Sequence, residues 1–112
     1  MENLNTQIIS EYTQALGKDV FLQTIELYEQ QAATYFSQLA DAAEQSDHSA
    51  WQQRCHVMKS AAGNVGLHSL HKLLGEVEYS KEGSDILQQY LQQINTLNET
   101  CLQELKKWLA QG

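Results

Sequence analysis

Proline is absent from all 112 residues, and only six glycines interrupt the chain. Proline breaks helices because it lacks an N–H and clashes with the preceding turn. A proline-free chain is therefore expected to form long, uninterrupted helices. No apolar run approaches the roughly 20 residues that a membrane-spanning helix requires. Met1 to Thr6 has neither a basic region nor an apolar core, so no signal peptide is expected. Two cysteines, Cys55 and Cys101, do not make a disulfide framework; both fall in apolar helical stripes and are expected as buried thiols in a reducing cytoplasm. Seven basic against fourteen acidic side chains give a net charge of −7, which argues against nucleic acid as a partner. No glycine-rich phosphate loop and no second domain are present to hold ATP, so autonomous kinase activity is not expected. The length allows one domain, 1–112, with a small core.

Acidic residues are also absent locally. From His48 to Gly75 there is no Asp or Glu, while Arg54, Lys59, Lys72 and all four histidines (His48, His56, His68, His71) lie inside that window. A basic, histidine-bearing segment thus sits within an acidic chain. It reads either as an ordinary solvated face or as a local site for an anionic group or an acidic surface.

Apolar spacing predicts five helices. The first spans about 5–16, with Asn5 as N-cap, Gly17 just past its end, and Ile8, Ile9, Tyr12 and Leu16 on one face. The second spans about 20–45, capped by Asp19, with Phe21, Ile25, Tyr28, Ala32, Tyr35, Phe36 and Leu39 at steps of three and four. Ser46-Asp47 caps a third, 48–64, whose stripe is Trp51, Cys55, Met58, Ala62 and Val65. The fourth spans about 67–81, with Leu70, Leu73, Leu74 and Val77 inward, and the fifth about 85–110 after Ser84, with a seam from Leu87 to Trp108. The expected fold is all-α: an antiparallel up-down four-helix bundle with an additional N-terminal capping helix.

His56 stands apart from the core stripe. It follows Cys55 by about 100° around the helix, and its face holds Gln52, Gln53, Lys59, Ser60 and Gly63. An exposed imidazole with a cation one turn away and small residues around it suits a nucleophile that another molecule approaches. By itself such a residue is more often a plain surface histidine.

The surrounding motif sharpens the reading. His56-Val57-Met58-Lys59-Ser60-Ala61-Ala62-Gly63-Asn64-Val65-Gly66-Leu67, followed by Leu70, resembles the signature of histidine-containing phosphotransfer (HPt) domains. That signature has His, an apolar residue, Lys, a run of small residues, a glycine turn and a helix with a regularly placed Leu. The likeness extends over about residues 5 to 110 through the order of helices and breaks. Ser60 departs from it, because a glycine often follows the Lys in the family; Ser is still small.

The resemblance implies a phosphorelay module. The imidazole of His56 would accept a phosphoryl group from an aspartyl phosphate on a response-regulator receiver domain and pass it to the Asp of another. A free imidazole, with a pKa of about 6.5, is largely neutral and nucleophilic in the cell. Lys59, expected on the exposed face, would neutralise phosphoryl oxygens, and Gln52, Gln53, Ser60 and Gly63 would form the docking surface. The receiver would supply Mg²⁺, so no cofactor is expected on this chain. The likeness further favours the C-terminal domain of a hybrid sensor histidine kinase, cytoplasmic in location, over a free-standing protein; the apolar seams are used inside one bundle, so a monomer is expected.

One more residue follows from helix geometry. His56 lies ten residues before Gly66, so residues about ten after that turn return to its level in an antiparallel pair, at Gly75 to Glu78. Glu76 or Glu78 would then orient the imidazole through Nδ1. Glu78 is favoured because it follows Leu74 by four and resembles a polar residue that the family places there. Two other readings compete. A non-catalytic helical adaptor explains the bundle but not the His56–Lys59 spacing. A metal site would use His68 and His71, three apart, but lacks further ligands at convincing spacing; both are expected as surface residues.

Overall fold

The structure is a computed structural model that describes residues 3–111; Met1, Glu2 and Gly112, and with them the ends of the expected 1–112 domain, lie outside the described residues. Five helices account for nearly all of it: α1 (Thr6–Leu16), α2 (Lys18–Glu44), α3 (His48–Asn64), α4 (His68–Val77) and α5 (Ser84–Gln111). Among the described residues there is no strand, and no helix is long and apolar enough to cross a membrane.

Helices α2 to α5 close a four-membered ring, each packed on its neighbours, with α5 returning to α2. The molecule measures 43 × 23 × 17 Å. At about 1.5 Å per residue, α2 and α5 each run its full length, whereas α3 and the shorter α4 pair with one another along it. The core contains Phe21, Ile25 and Leu39 from α2, Trp51, Cys55, Met58 and Ala62 from α3, Leu70 and Leu74 from α4, and Leu87, Ile94, Cys101 and Leu105 from α5. Both cysteines are buried and free, and burial pushes the Cys55 thiol up to about 12, with the nearby Glu78 charge adding to it.

The N-terminal segment caps the end of the bundle where α3 turns into α4. Asn5 accepts the Ile8 N–H at 3.2 Å on its side chain, and its own N–H donates to the Gly66 carbonyl at 2.8 Å. Gly66 has φ +83°, and a Cβ there would lie 2.6 Å from Ile9 Cγ1, so the turn needs glycine for both its backbone and its space. Tyr12 of α1 packs on Phe21 of α2 with ring centroids 5.0 Å apart.

Three expectations about the helices are corrected. Gly17 (φ +88°), not Asp19, is the residue before α2; it serves as the junction of α1 and α2, and Asp19 sits in the first turn, where its charge favours the helix N-terminus. Leu16 of the expected inward face is exposed, and only Ile9 of that set is fully buried, because α1 touches the bundle at its start and along α2 rather than along a continuous groove. Finally, α4 ends at Val77, not Lys81. The Val77 carbonyl is taken by the Ser80 N–H at 3.1 Å in a tight turn and by the Trp51 indole at 3.0 Å, instead of by the next helical turn.

Candidate functional site

The third helix begins at a well-made cap: Asp47 accepts the Ala50 N–H at 3.1 Å. From there the spacing of Trp51, Cys55, Met58 and Ala62 faces the core, all of them fully buried. This sets His56 at the margin of the buried stripe, with its side chain 61% exposed.

The imidazole is not alone. Nδ1 lies 3.5 Å from Oε1 of Glu78, whose side chain is only 1% exposed. Lys59 Nζ lies 3.1 Å from the same oxygen. Antiparallel α3 and α4 thus bring the three residues together, as equal rise along the two helices predicts. The His56 contact is longer than the roughly 2.7–3.2 Å of a formed N–H···O bond, and among the described residues Oε1 has no well-aligned hydrogen-bond donor although it is buried. The carboxylate is therefore held by charge and keeps acceptor capacity facing the ring. Burial alone would push the Glu78 carboxyl up. The Lys59 ammonium and the neighbouring Tyr79 hydroxyl, together with the charge of His56, outweigh burial and hold it below its ordinary value. Glu78 is accordingly ionised at neutral pH.

Lys59 was expected on the exposed face, but its side chain is 25% exposed. Its stem crosses Gly75 of α4, where an added Cβ would touch Lys59 Cδ at 3.5 Å. Its ammonium is thus drawn inward to Glu78 while one side remains open to solvent.

The four expected docking residues divide between two shallow depressions. Gln52 and Gln53 line one with Arg54, His56, Val57, Glu78 and Tyr79. Ser60 and Gly63 line another with Asn5, Ile8, Asn64, Gly66, His68 and His71. Gly63 has a second task, because a Cβ on it would meet His71 Nδ1 at 2.8 Å. His71, expected at the surface, is half-buried there, and its Nδ1 donates to the Lys59 carbonyl at 3.0 Å. His68 is exposed. Among the described residues no group of three or more His, Cys, Asp or Glu side chains comes together as metal ligands.

Sequence reasoning missed Tyr79, His71 and the indole of Trp51. Tyr79 is 63% exposed, and the neighbouring Glu78 carboxylate raises its hydroxyl above the ordinary value. No sequence pattern marks these three: Trp51 and His71 act across the α3–α4 pair, and Tyr79 acts on its chain neighbour Glu78 from an exposed position.

A bundle of this order, with an exposed imidazole backed by a buried carboxylate and a lysine one turn on, defines a histidine-bearing helical module. The family model of the Hpt domain matches residues 23–111. The chain belongs to that family and is a histidine phosphotransfer module of a phosphorelay, a class that works with receiver domains. The histidine-containing phosphotransfer domain of ArcB from Escherichia coli has the same fold, with a TM-score of 0.84 at 21% identity over 96% of this chain and 93% of that one. A comparison with curated proteins finds no match.

Proposed function

We propose that His56 is the residue that carries the phosphoryl group. The observation that supports it most is the buried Glu78 carboxylate, whose Oε1 lies 3.5 Å from Nδ1 of the exposed His56 ring. A carboxylate at Nδ1 favours the tautomer with its proton there. Nε2 on the other side of the ring then keeps its lone pair. That lone pair attacks the phosphorus of a receiver's aspartyl phosphate. The N–P bond forms, the P–O bond to aspartate breaks, and the carboxylate leaves with its electron pair. The product ring is an imidazolium still protonated at Nδ1, and the Glu78 charge stabilises it. Transfer to a second receiver reverses these steps. Phosphoryl transfer rests mainly on positioning and on charge stabilisation.

Lys59 neutralises the incoming phosphoryl oxygens, with its ammonium held near the ring by Glu78 at 3.1 Å. Gln52 and Gln53 on one side of His56, and Ser60 and Gly63 on the other, form the surface on which a receiver docks. Mg²⁺ belongs to the receiver. The chain acts as a monomeric, single-domain module without nucleic-acid partners, at the cytoplasmic C-terminal end of a hybrid sensor kinase; the acidic chain with its one acid-free window supports a partner that docks at that window.

The test is phosphorylation by a phosphorylated receiver domain. The chain should acquire acid-labile, alkali-stable phosphate, and His56→Gln should acquire none. A His56→Gln chain labelled as strongly as the parent would overturn the assignment.

A further inference from the structure

The proposed chemistry requires Glu78 to point at His56, yet Glu78 lies just beyond the last residue of α4. As C-cap it keeps helical φ and ψ (−53°, −43°), but the last carbonyls of a helix, that of Val77 among them, have no partner in a following helical turn. Something else must fix this one.

Trp51 supplies it. The indole is fully buried, and its Nε1–H donates to the Val77 carbonyl at 3.0 Å. That carbonyl and the Glu78 N–H belong to one planar peptide unit. Holding the carbonyl therefore fixes the plane from which the Glu78 side chain departs. Trp51 is on the same helix as His56 and Lys59, so the bond ties the end of α4 to the helix that carries both groups Glu78 must reach. The only other backbone bond to this carbonyl among the described residues is the turn from the Ser80 N–H at 3.1 Å, which links α4 to its own loop and not to α3.

We propose that Trp51 is a positioning residue for phosphotransfer: its indole N–H clamps the Val77–Glu78 peptide to α3 and so aims the Glu78 carboxylate at Nδ1 of His56 and at Lys59. The role rests on Glu78 acting on His56 as proposed above. Without the N–H, the core keeps its bulk but the peptide can rotate about the end of the helix. The carboxylate then spends less time against its two partners.

Two variants separate the clamp from the packing. Trp51→Phe removes the N–H and some volume. Replacing Trp51 by benzothienylalanine puts sulfur in place of the N–H in a ring of the same shape, and covers the case in which Trp51→Phe does not fold. Three readouts apply: the titration of the Glu78 carboxyl carbon by NMR, the ¹⁵N shifts of the His56 ring, and the rate of phosphotransfer from a phosphorylated receiver. In the folded variants the Glu78 midpoint should move up towards the ordinary carboxylate value, and His56 should lose its preference for a proton on Nδ1. Transfer should slow by about three- to tenfold, the scale of one lost hydrogen bond.

A folded variant with an unmoved Glu78 midpoint and unchanged His56 tautomer would overturn the role, because a tryptophan that only fills the core changes neither. Failure of Glu78 itself shows separately, as parent-like transfer by Glu78→Ala. An unmoved midpoint counts against Trp51 even where Glu78→Ala is slow.

Discussion

Lys59 Nζ and Glu78 Oε1 are 3.1 Å apart, and of the pair it is the carboxylate, 1% exposed, that is buried. The lysine has two partners to serve: Glu78 in the resting chain and the phosphoryl group after transfer. Removing it should therefore affect stability as well as rate. Lys59→Met leaves a buried carboxylate without its cation, at a cost of about 1–3 kcal/mol. The double variant Lys59→Met with Glu78→Gln should recover much of that loss, since the buried charge is gone, but should still transfer phosphate slowly. Urea unfolding of the parent, both single variants and the double variant gives the cycle. A Lys59→Met chain as stable as the parent would show that water, not lysine, satisfies Glu78.

Acid should weaken this pair in a specific window. The Glu78 carboxyl is held below its ordinary value of 4.5 despite burial. The unfolded chain therefore binds this proton more readily than the folded one, and stability rises with pH across the interval between the two values. The contribution is fully present above 4.5 and is lost as pH falls through the lower, folded value. Unfolding free energies of the parent and Glu78→Gln, measured from about pH 3 to pH 6, should differ by a constant amount at the upper end and converge at the lower. Parallel curves throughout would mean that Glu78 is not linked to folding.

Helical spacing places His56 and Lys59 one turn apart on one face of α3, but it is the resemblance of their motif to the HPt signature that singles them out. Equal rise on two antiparallel helices narrows the facing acid to Glu76 or Glu78, and the step of four from Leu74, with the same resemblance, favours Glu78. What spacing could not give is depth. Lys59 reads as exposed on a helical wheel and is drawn inward because Gly75 on the facing helix leaves room for its stem. His71 reads as surface and lies half-buried because Gly63 lets its ring approach the Lys59 carbonyl. The end of α4 was misplaced by four residues because its stop signal is a carbonyl bonded from another helix, by Trp51. Local sequence carries no trace of such a bond, whereas Asp47, a local cap, marked the start of α3 correctly.

Gly66 should tolerate no side chain. It combines φ +83° with Ile9 Cγ1 at 2.6 Å and the Asn5 carbonyl oxygen at 3.3 Å from an added Cβ. A left-handed conformation costs a residue with a Cβ about 1–2 kcal/mol, and overpacking adds about 1–3 kcal/mol. Gly66→Ala should thus lower stability by about 2–5 kcal/mol and loosen α1, whose Asn5 N–H is bonded to this residue. Thermal unfolding measures the loss, and amide exchange of Asn5 to Ile9 reports the loosening.

A second polar pair lies in the core, away from His56, and should affect stability alone. The Tyr28 hydroxyl of α2 donates to Asn98 Oδ1 of α5 at 2.7 Å, with both residues buried. Either partner left alone is a buried polar group without its bond, so Tyr28→Phe and Asn98→Leu should each cost about 1–3 kcal/mol. The double variant should lose clearly less than the sum, since no orphan remains. Burial, with smaller contributions from Cys101 and Tyr35, raises the Tyr28 hydroxyl well above its ordinary 10.0. The folded chain thus holds this proton more tightly than the unfolded one. That stability is intact below 10.0 and drains away as pH rises towards the folded value. Phenolate absorbance from Tyr28 should consequently appear only together with alkaline unfolding, as the difference between parent and Tyr28→Phe spectra. Its appearance in a still-helical chain, followed by circular dichroism, would mean that the core around Tyr28 and Asn98 is open to solvent.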